Sequence, residues 1–281
     1  MEFEPEFIEV VAPGGRPRAT AMLVHGILGS GANWRSFARK LVAAHPEWRV
    51  VLPDLRNHGR SRGALPPHTV AACAADLARL GRRFDVAPSV CIGHSYGGKV
   101  ALAWARDHGG DHAREVWALD SPPGTGRGAD ESSADGVGRV LEALRRVRMP
   151  VARREDLVAA LDELGLSAAV AQWMTTNLEA APGGYRWRFD IDAIEAMVDE
   201  YLRADLWPVV EAPPVGLRVG LVIAGRGGRY DRAERLRAER ARGPRVEVHE
   251  LPGSGHWVHV DAPGPLAALL GDVLARSLPA D

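Results

Sequence analysis

Seven short apolar or β-branched runs alternate with alanine- and leucine-rich runs at both ends of this 281-residue chain, and the alternation is lost in the middle. Strands separated by helix-length segments pair in parallel, because each crossover must return the chain to the same edge of the sheet. The runs predict strands over Phe7 to Val11, Ala19 to Val24, Arg49 to Leu52, Ser89 to Ile92, Glu115 to Leu119, Arg218 to Ile223 and Arg245 to Leu251. Helices are predicted over Trp34 to Ala44, Thr69 to Phe84, Tyr96 to Asp107, Ala233 to Ala241 and Pro265 to Arg276. The fold class is therefore α/β, with a mostly parallel sheet flanked by helices.

From Asp120 to about Pro214 the pattern turns to helix-like charged segments, punctuated by SPPGTGRGADESSADG and broken at APGGY. A sheet protein does not need so long a crossover. The expected organisation is a core of residues 1–120 and 215–281, with residues 121–214 inserted after Asp120 as a helical cap. Arginine-rich stretches, RRVRMPVARR and RAERLRAERARGPR, read as solvated helical faces.

Hydrophobic residues make up 46% and charged residues 25%, with a net charge of −1. That balance buries a core and gives no global field for nucleic acid or an anionic membrane. No stretch approaches the roughly 18 apolar residues of a membrane span, and MEFEPEFIEV lacks a basic leader, so a cytoplasmic location is expected. Cys73 and Cys91 fall in a helix and a strand and read as reduced core thiols.

The chemistry is carried by Gly93-His94-Ser95-Tyr96-Gly97, between the apolar strand SVCI and the helix-forming KVALAWARDH. G-x-S-x-G at a strand-to-helix turn strains the serine backbone, lifts its hydroxyl clear of the sheet and sets it over a helix N-terminus. Upstream, His25-Gly26-Ile27-Leu28-Gly29-Ser30 follows the strand AMLV. Its glycine turn can aim the Ile27 N–H at the carbonyl oxygen that the Tyr96 N–H also reaches. Two such donors form an oxyanion hole, in which one donor contributes about 3 to 4 kcal/mol to the transition state. Downstream, Gly253-Ser254-Gly255-His256-Trp257 puts a histidine on a glycine loop after the last strand. Serine early and histidine late is the order expected of such a hydrolase.

Together HGILGSGANW, DLRNHGRS, GHSYGGKVAL and GHWVHVD resemble the α/β-hydrolase fold family, in particular a small serine-esterase branch, over nearly the whole chain outside the insertion. The resemblance implies a Ser-His-acid triad, no metal or organic cofactor, and a small-molecule ester or thioester as partner. Family members often carry the acid as G-x-x-D after the next-to-last strand. Here Gly225-Arg226-Gly227-Gly228 puts glycine in that place. Asp120, ending the strand EVWALD at the sheet edge that should also carry Ser95, is the first candidate for the acid. Asp192, which aligns with an aspartate of the esterase branch, and Asp231 are its rivals. His259 is the rival base. His94 is expected to point away from the site, and His25 to brace its own loop. Asn57 and His58 are expected to organise the loop after their strand, and Trp34 to pack beside the oxyanion loop. Trp173, Met174, Tyr185 and Trp187 would wall an acyl pocket or form the insertion's own core.

These features predict an ester hydrolase working through an acyl-enzyme on Ser95, His256 and Asp120. Thioester hydrolysis, C–C hydrolysis or perhydrolysis on the same triad, and a binding protein that retains the fold, are the alternatives. A serine at position 95 argues against the carboxylate-nucleophile chemistries of this fold.

Overall fold

The computed structural model describes residues 3–110, 112–126 and 136–279. Seven strands form one sheet: β1 (Phe7–Val10), β2 (Ala19–Val24), β3 (Trp48–Pro53), β4 (Pro88–His94), β5 (Glu115–Leu119), β8 (Arg218–Ala224) and β9 (Val246–Leu251). Their spatial order is β1-β3-β2-β4-β5-β8-β9, with β1 antiparallel to β3 and every other pair parallel. All seven predicted strands form, shifted at their ends by at most two residues.

The helices of the core are α1 (Arg35–Ala44), α2 (Val70–Gly81), α3 (Tyr96–His108), α9 (Arg232–Ala241), α10 (Val258–Asp261) and α11 (Pro263–Ser277). Side chains start two of them: Thr69 accepts the Ala72 N–H at 3.0 Å, and Asp231 accepts that of Glu234 at 2.8 Å. Central strands β2 and β5 are buried at every residue, as a sheet covered on both faces requires. One apolar cluster packs α1 and α11 on one face; the other packs α2 and α3 on the opposite face and runs on into the segment between β5 and β8. Cys73 and Cys91 are buried free thiols, and burial pushes Cys73 up to about 12.

Between β5 and β8 the described residues form α4 (Val137–Arg146), α5 (Arg154–Glu163), α6 (Ala168–Met174), a 3-10 turn (Thr175–Asn177), α7 (Ile191–Arg203) and α8 (Trp207–Glu211). It also forms an antiparallel hairpin, β6 (Leu178–Ala181) with β7 (Gly184–Trp187), which corrects the expectation of a purely helical segment. APGGY is the hairpin's turn. The sequence LEAA of β6 is helix-forming in composition, and Gly183 and Gly184, both at positive φ, make the reversal. Of SPPGTGRGADESSADG, residues 127–135 lie outside the described residues.

Most of the arginine-rich stretches are solvated and paired with neighbours. Arg145 contacts Asp192 and Glu195, Arg153 contacts Asp156, and Arg237 contacts Glu211. Among the described residues no helix is long and apolar enough to cross a membrane.

The strand order places a switch point between β2 and β4. From there the chain proceeds one way to β3 and the other way to β5. The loops after β2 and β4 therefore diverge and leave a crevice at the carboxyl edge.

Candidate active site

Ser95 stands at this crevice, between β4 and α3, at φ 53° and ψ −122°. Glycines flank it of necessity. A Cβ at Gly93 would overlap the Gly97 carbonyl, and one at Gly97 would come within 2.7 Å of the Val24 carbonyl oxygen. Among the described residues only four non-glycines have positive φ: Leu28, Asn57, Ser95 and Asp120. All four lie in loops at the carboxyl edge of the sheet, where strained backbone holds side chains and peptides in place.

Ser95 is joined to the strand of Asp120 through its own backbone, since its N–H donates to the Leu119 carbonyl at 3.0 Å. Asp120 follows, its N–H bonded to the Val222 carbonyl of β8 at 2.7 Å. Its carboxylate accepts the Ala224 N–H on Oδ1 at 3.1 Å and His256 Nδ1–H on Oδ2 at 2.7 Å. One glycine of this run has a steric consequence. A Cβ on Gly227, the residue before the usual acid position, would meet Asp120 Oδ2 at 2.6 Å, so glycine there leaves room for the Asp120 carboxylate. The two rival acids lie elsewhere: Asp192 is exposed in the first turn of α7 beside Arg145, and Asp231 caps α9.

The His256 loop is tied down rather than free, contrary to what Gly-Ser-Gly suggests. Arg226 holds the Ser254 carbonyl through its N–H and the Gly253 carbonyl through its guanidinium, and Asp261 accepts the Gly255 N–H at 2.9 Å. His94 does not point away. Its Nε2–H donates to the His256 carbonyl at 2.7 Å and its ring lies 4.6 Å from that of His256, so the residue before Ser95 holds the loop that carries the imidazole. His259 stacks on Trp34 at 4.2 Å and has no contact with Asp120; burial pushes it down to about 4. Trp34 thus packs against the histidine loop.

With Nδ1–H given to Asp120, His256 keeps Nε2 as a free base. Among the described residues no hydrogen bond joins it to Ser95 Oγ; such contacts commonly tighten only around substrate. Burial pushes Asp120 up to about 6. Burial, with the charges of Arg229 and His259, holds His256 well below the usual imidazole range. At neutral pH the pair is therefore carboxylate and neutral imidazole.

Next to the serine lies the loop after β2. The Cβ position of Gly26 is 3.1 Å from that of Ser95. His25 braces this loop as expected: Nδ1–H donates to the Gly26 carbonyl at 2.7 Å, and Nε2 accepts the Leu55 N–H at 2.9 Å. His58 reaches beyond its own loop and accepts the Leu28 N–H on Nε2 at 3.0 Å, while its Nδ1–H donates to the Arg56 carbonyl at 2.9 Å. Burial keeps both rings neutral, with His58 at about 3. Among the described residues no acceptor takes the N–H of Ile27 or of Tyr96.

In the inserted segment, Met174 is fully buried, Trp187 stacks on Phe189 at 5.3 Å, and Tyr185 lies under Arg154. These three build the segment's own core. Trp173 instead meets Trp257, beside His256, edge to face at 5.7 Å.

A strained serine between strand and helix, near a buried carboxylate bonded to a half-buried imidazole at a sheet switch point, defines a hydrolase of the α/β class. The α/β-hydrolase fold family matches over residues 22–263, and the chain belongs to that family. It is 29% identical over 247 residues to sn-1-specific diacylglycerol lipase ABHD11 of Mus musculus, covering 86% of this chain and 76% of that one. It is 29% identical over 243 residues to Esterase YbfF of Escherichia coli (strain K12), covering 86% and 87%. Among solved structures, a marine microorganism esterase superposes with a TM-score of 0.81 at 23% identity, over 96% of this chain and 99% of that one, which shows a shared fold.

Proposed function

We propose that the protein hydrolyses carboxylic esters of small to medium acyl groups through an acyl-enzyme on Ser95. His256 Nε2 takes the hydroxyl proton as Ser95 Oγ attacks the ester carbonyl, and Asp120 stabilises the imidazolium that forms. The carbonyl oxygen, now an oxyanion, is held by the N–H groups of Ile27 and Tyr96, the latter at the first turn of α3. Collapse of the tetrahedral intermediate expels the alcohol, which takes the proton from His256. Water, deprotonated by the same base, then releases the acid.

The observation that carries this reading is the 2.7 Å bond between Asp120 and His256, made across 136 residues, with Asp120 following the residue that accepts the Ser95 N–H. The relatives named as a lipase and an esterase support esters as the substrate class. Residues 121–214 serve as a cap, with Trp173 facing the histidine loop through Trp257. The test is initial-rate hydrolysis of p-nitrophenyl acetate, butyrate and octanoate by the wild type and by Ser95→Ala. Turnover lost in the variant supports the reading; equal turnover overturns it, and the chain-length profile sizes the acyl site.

A further inference from the structure

Each peptide plane of the loop after β2 is fixed by a bond of its own. The Gly26–Ile27 plane is held at the Gly26 carbonyl by His25 Nδ1–H at 2.7 Å and by the Gly29 N–H at 3.0 Å. Because a trans peptide is planar and its N–H is directed opposite its C=O, holding that oxygen aims the Ile27 N–H. The Ile27–Leu28 plane is held at the Leu28 N–H by His58. The third plane carries the Leu28 carbonyl at one end and the Gly29 N–H at the other, and among the described residues that carbonyl is held by one distant in sequence: Asn177 Nδ2 donates to it at 2.8 Å, across 149 residues.

Asn177 is well placed to fix it. It is 5% exposed, ends the 3-10 turn before β6, and is anchored by its own carbonyl, which accepts the Arg188 N–H at 2.8 Å. What it fixes needs fixing, since Leu28 lies at φ 59°, a conformation that a branched side chain adopts only under restraint. Losing the Asn177 donor leaves the Leu28–Gly29 plane held only at its Gly29 N–H. As that plane turns, the Gly29 N–H withdraws from the Gly26 oxygen, His25 is left to hold that oxygen, and the aim of the Ile27 N–H loosens.

We propose that Asn177 is a positioning residue for the oxyanion hole, through which the inserted segment sets the aim of the Ile27 N–H. The proposal rests on the reading that Ile27 donates to the oxyanion. Asn177 touches no reacting atom; it acts through three successive peptide planes, so its loss weakens transition-state binding more than substrate binding.

The test compares p-nitrophenyl butyrate with its thionoester, whose sulfur accepts hydrogen bonds poorly, in the wild type, Ser95→Ala, Asn177→Asp, Asn177→Ala and Glu179→Ala. Asn177→Asp keeps the shape and removes the donor; Asn177→Ala, which buries no charge, reads the same loss should the first not fold. Both should lower kcat by about tenfold or more with KM within about twofold, less than the 10²–10³ lost when a donor is removed outright. The oxo-to-thiono ratio of kcat/KM should fall with kcat. Glu179→Ala breaks the contact of Glu179 with Arg62, which also ties the inserted segment to the core but does not reach the oxyanion loop, and should leave both readouts unchanged. Folded Asn177 variants with wild-type kcat and ratio overturn the proposal, as does an equal loss in Glu179→Ala, which would mean that any loosening of the segment suffices. If Ser95→Ala retains turnover, the hydrolase reading itself fails and the proposal falls with it; a Ser95-dependent rate with unaffected Asn177 variants refutes the proposal alone.

Discussion

The proposed acid, Asp120, needs glycine beside it: a Cβ at position 227, one residue before the usual acid position, would meet its Oδ2 at 2.6 Å. Replacing Asp120 by Asn keeps the shape but presents an amide that cannot stabilise imidazolium, and kcat should fall by about 10³–10⁴-fold. Activity within a few-fold of wild type would remove Asp120 from the mechanism. The pH dependence follows from the same pair. As pH falls through about 6, Asp120 takes up a proton and ceases to stabilise charge on His256, whose burial already keeps it neutral. A plot of kcat/KM against pH should therefore rise through about 6 and level off, the midpoint belonging to the coupled pair. A flat profile from pH 5 to 8 would contradict it. The pairing of Asp120 with His256 near the Ser95 turn was legible, because motif, strand end and chain order each limit the choice. The part of His94 was not, because alternation along β4 ends at the strained turn, and the bond it makes is to a backbone atom 162 residues away.

At the scale of elements, the loops after β5, β8 and β9 behave as one unit. Gly227→Ala tests this without touching a catalytic atom. Its Cβ would meet Asp120 Oδ2 at 2.6 Å and Ala224 Cβ at 2.7 Å, with no flexible chain to yield. The variant should lose activity by about tenfold or more, and stability by about 1–3 kcal/mol as overpacking does, measured by initial rates and denaturant melts. Unchanged rates would mean that the Asp120 loop has room to spare. The regular strands and helices could be read from sequence because their signals are local: apolar runs, alanine- and leucine-rich runs and glycine at tight turns. β6 and β7 were missed because LEAA is helix-forming in composition and GYRW opens on glycine, so neither resembles the β-branched run of a strand. The contact of the inserted segment with the oxyanion loop was missed because nothing near Asn177 in sequence marks it.

For the whole molecule, a few buried polar ties join the segment between β5 and β8 to the core beside the apolar cluster they share. Lys99 of α3 is buried and spends its ammonium donors on the carbonyls of Gly124, Tyr201 and Ala204 at 2.7, 2.7 and 2.8 Å. Burial pushes it down to about 8, so at neutral pH it stays charged. Glu200 of α7 accepts the Val70 N–H at the start of α2 at 2.6 Å. Lys99→Met fills the volume but strands three carbonyls. It should lower stability by about 3 kcal/mol or more, given that each buried acceptor left unpaired costs about 1–3 kcal/mol, read as a fall in melting temperature. An unchanged melting temperature would show that the insertion is held mainly by apolar packing. The proposed chemistry turns on Ser95 being the activated nucleophile. The most direct measurement is intact-protein mass after treatment with a fluorophosphonate, with peptide mapping, on the wild type, Ser95→Ala and His256→Ala. One adduct on Ser95 in the wild type, none in Ser95→Ala and slow labelling of His256→Ala are the predicted results; an adduct at another residue, or equal labelling of wild type and Ser95→Ala, would contradict the account.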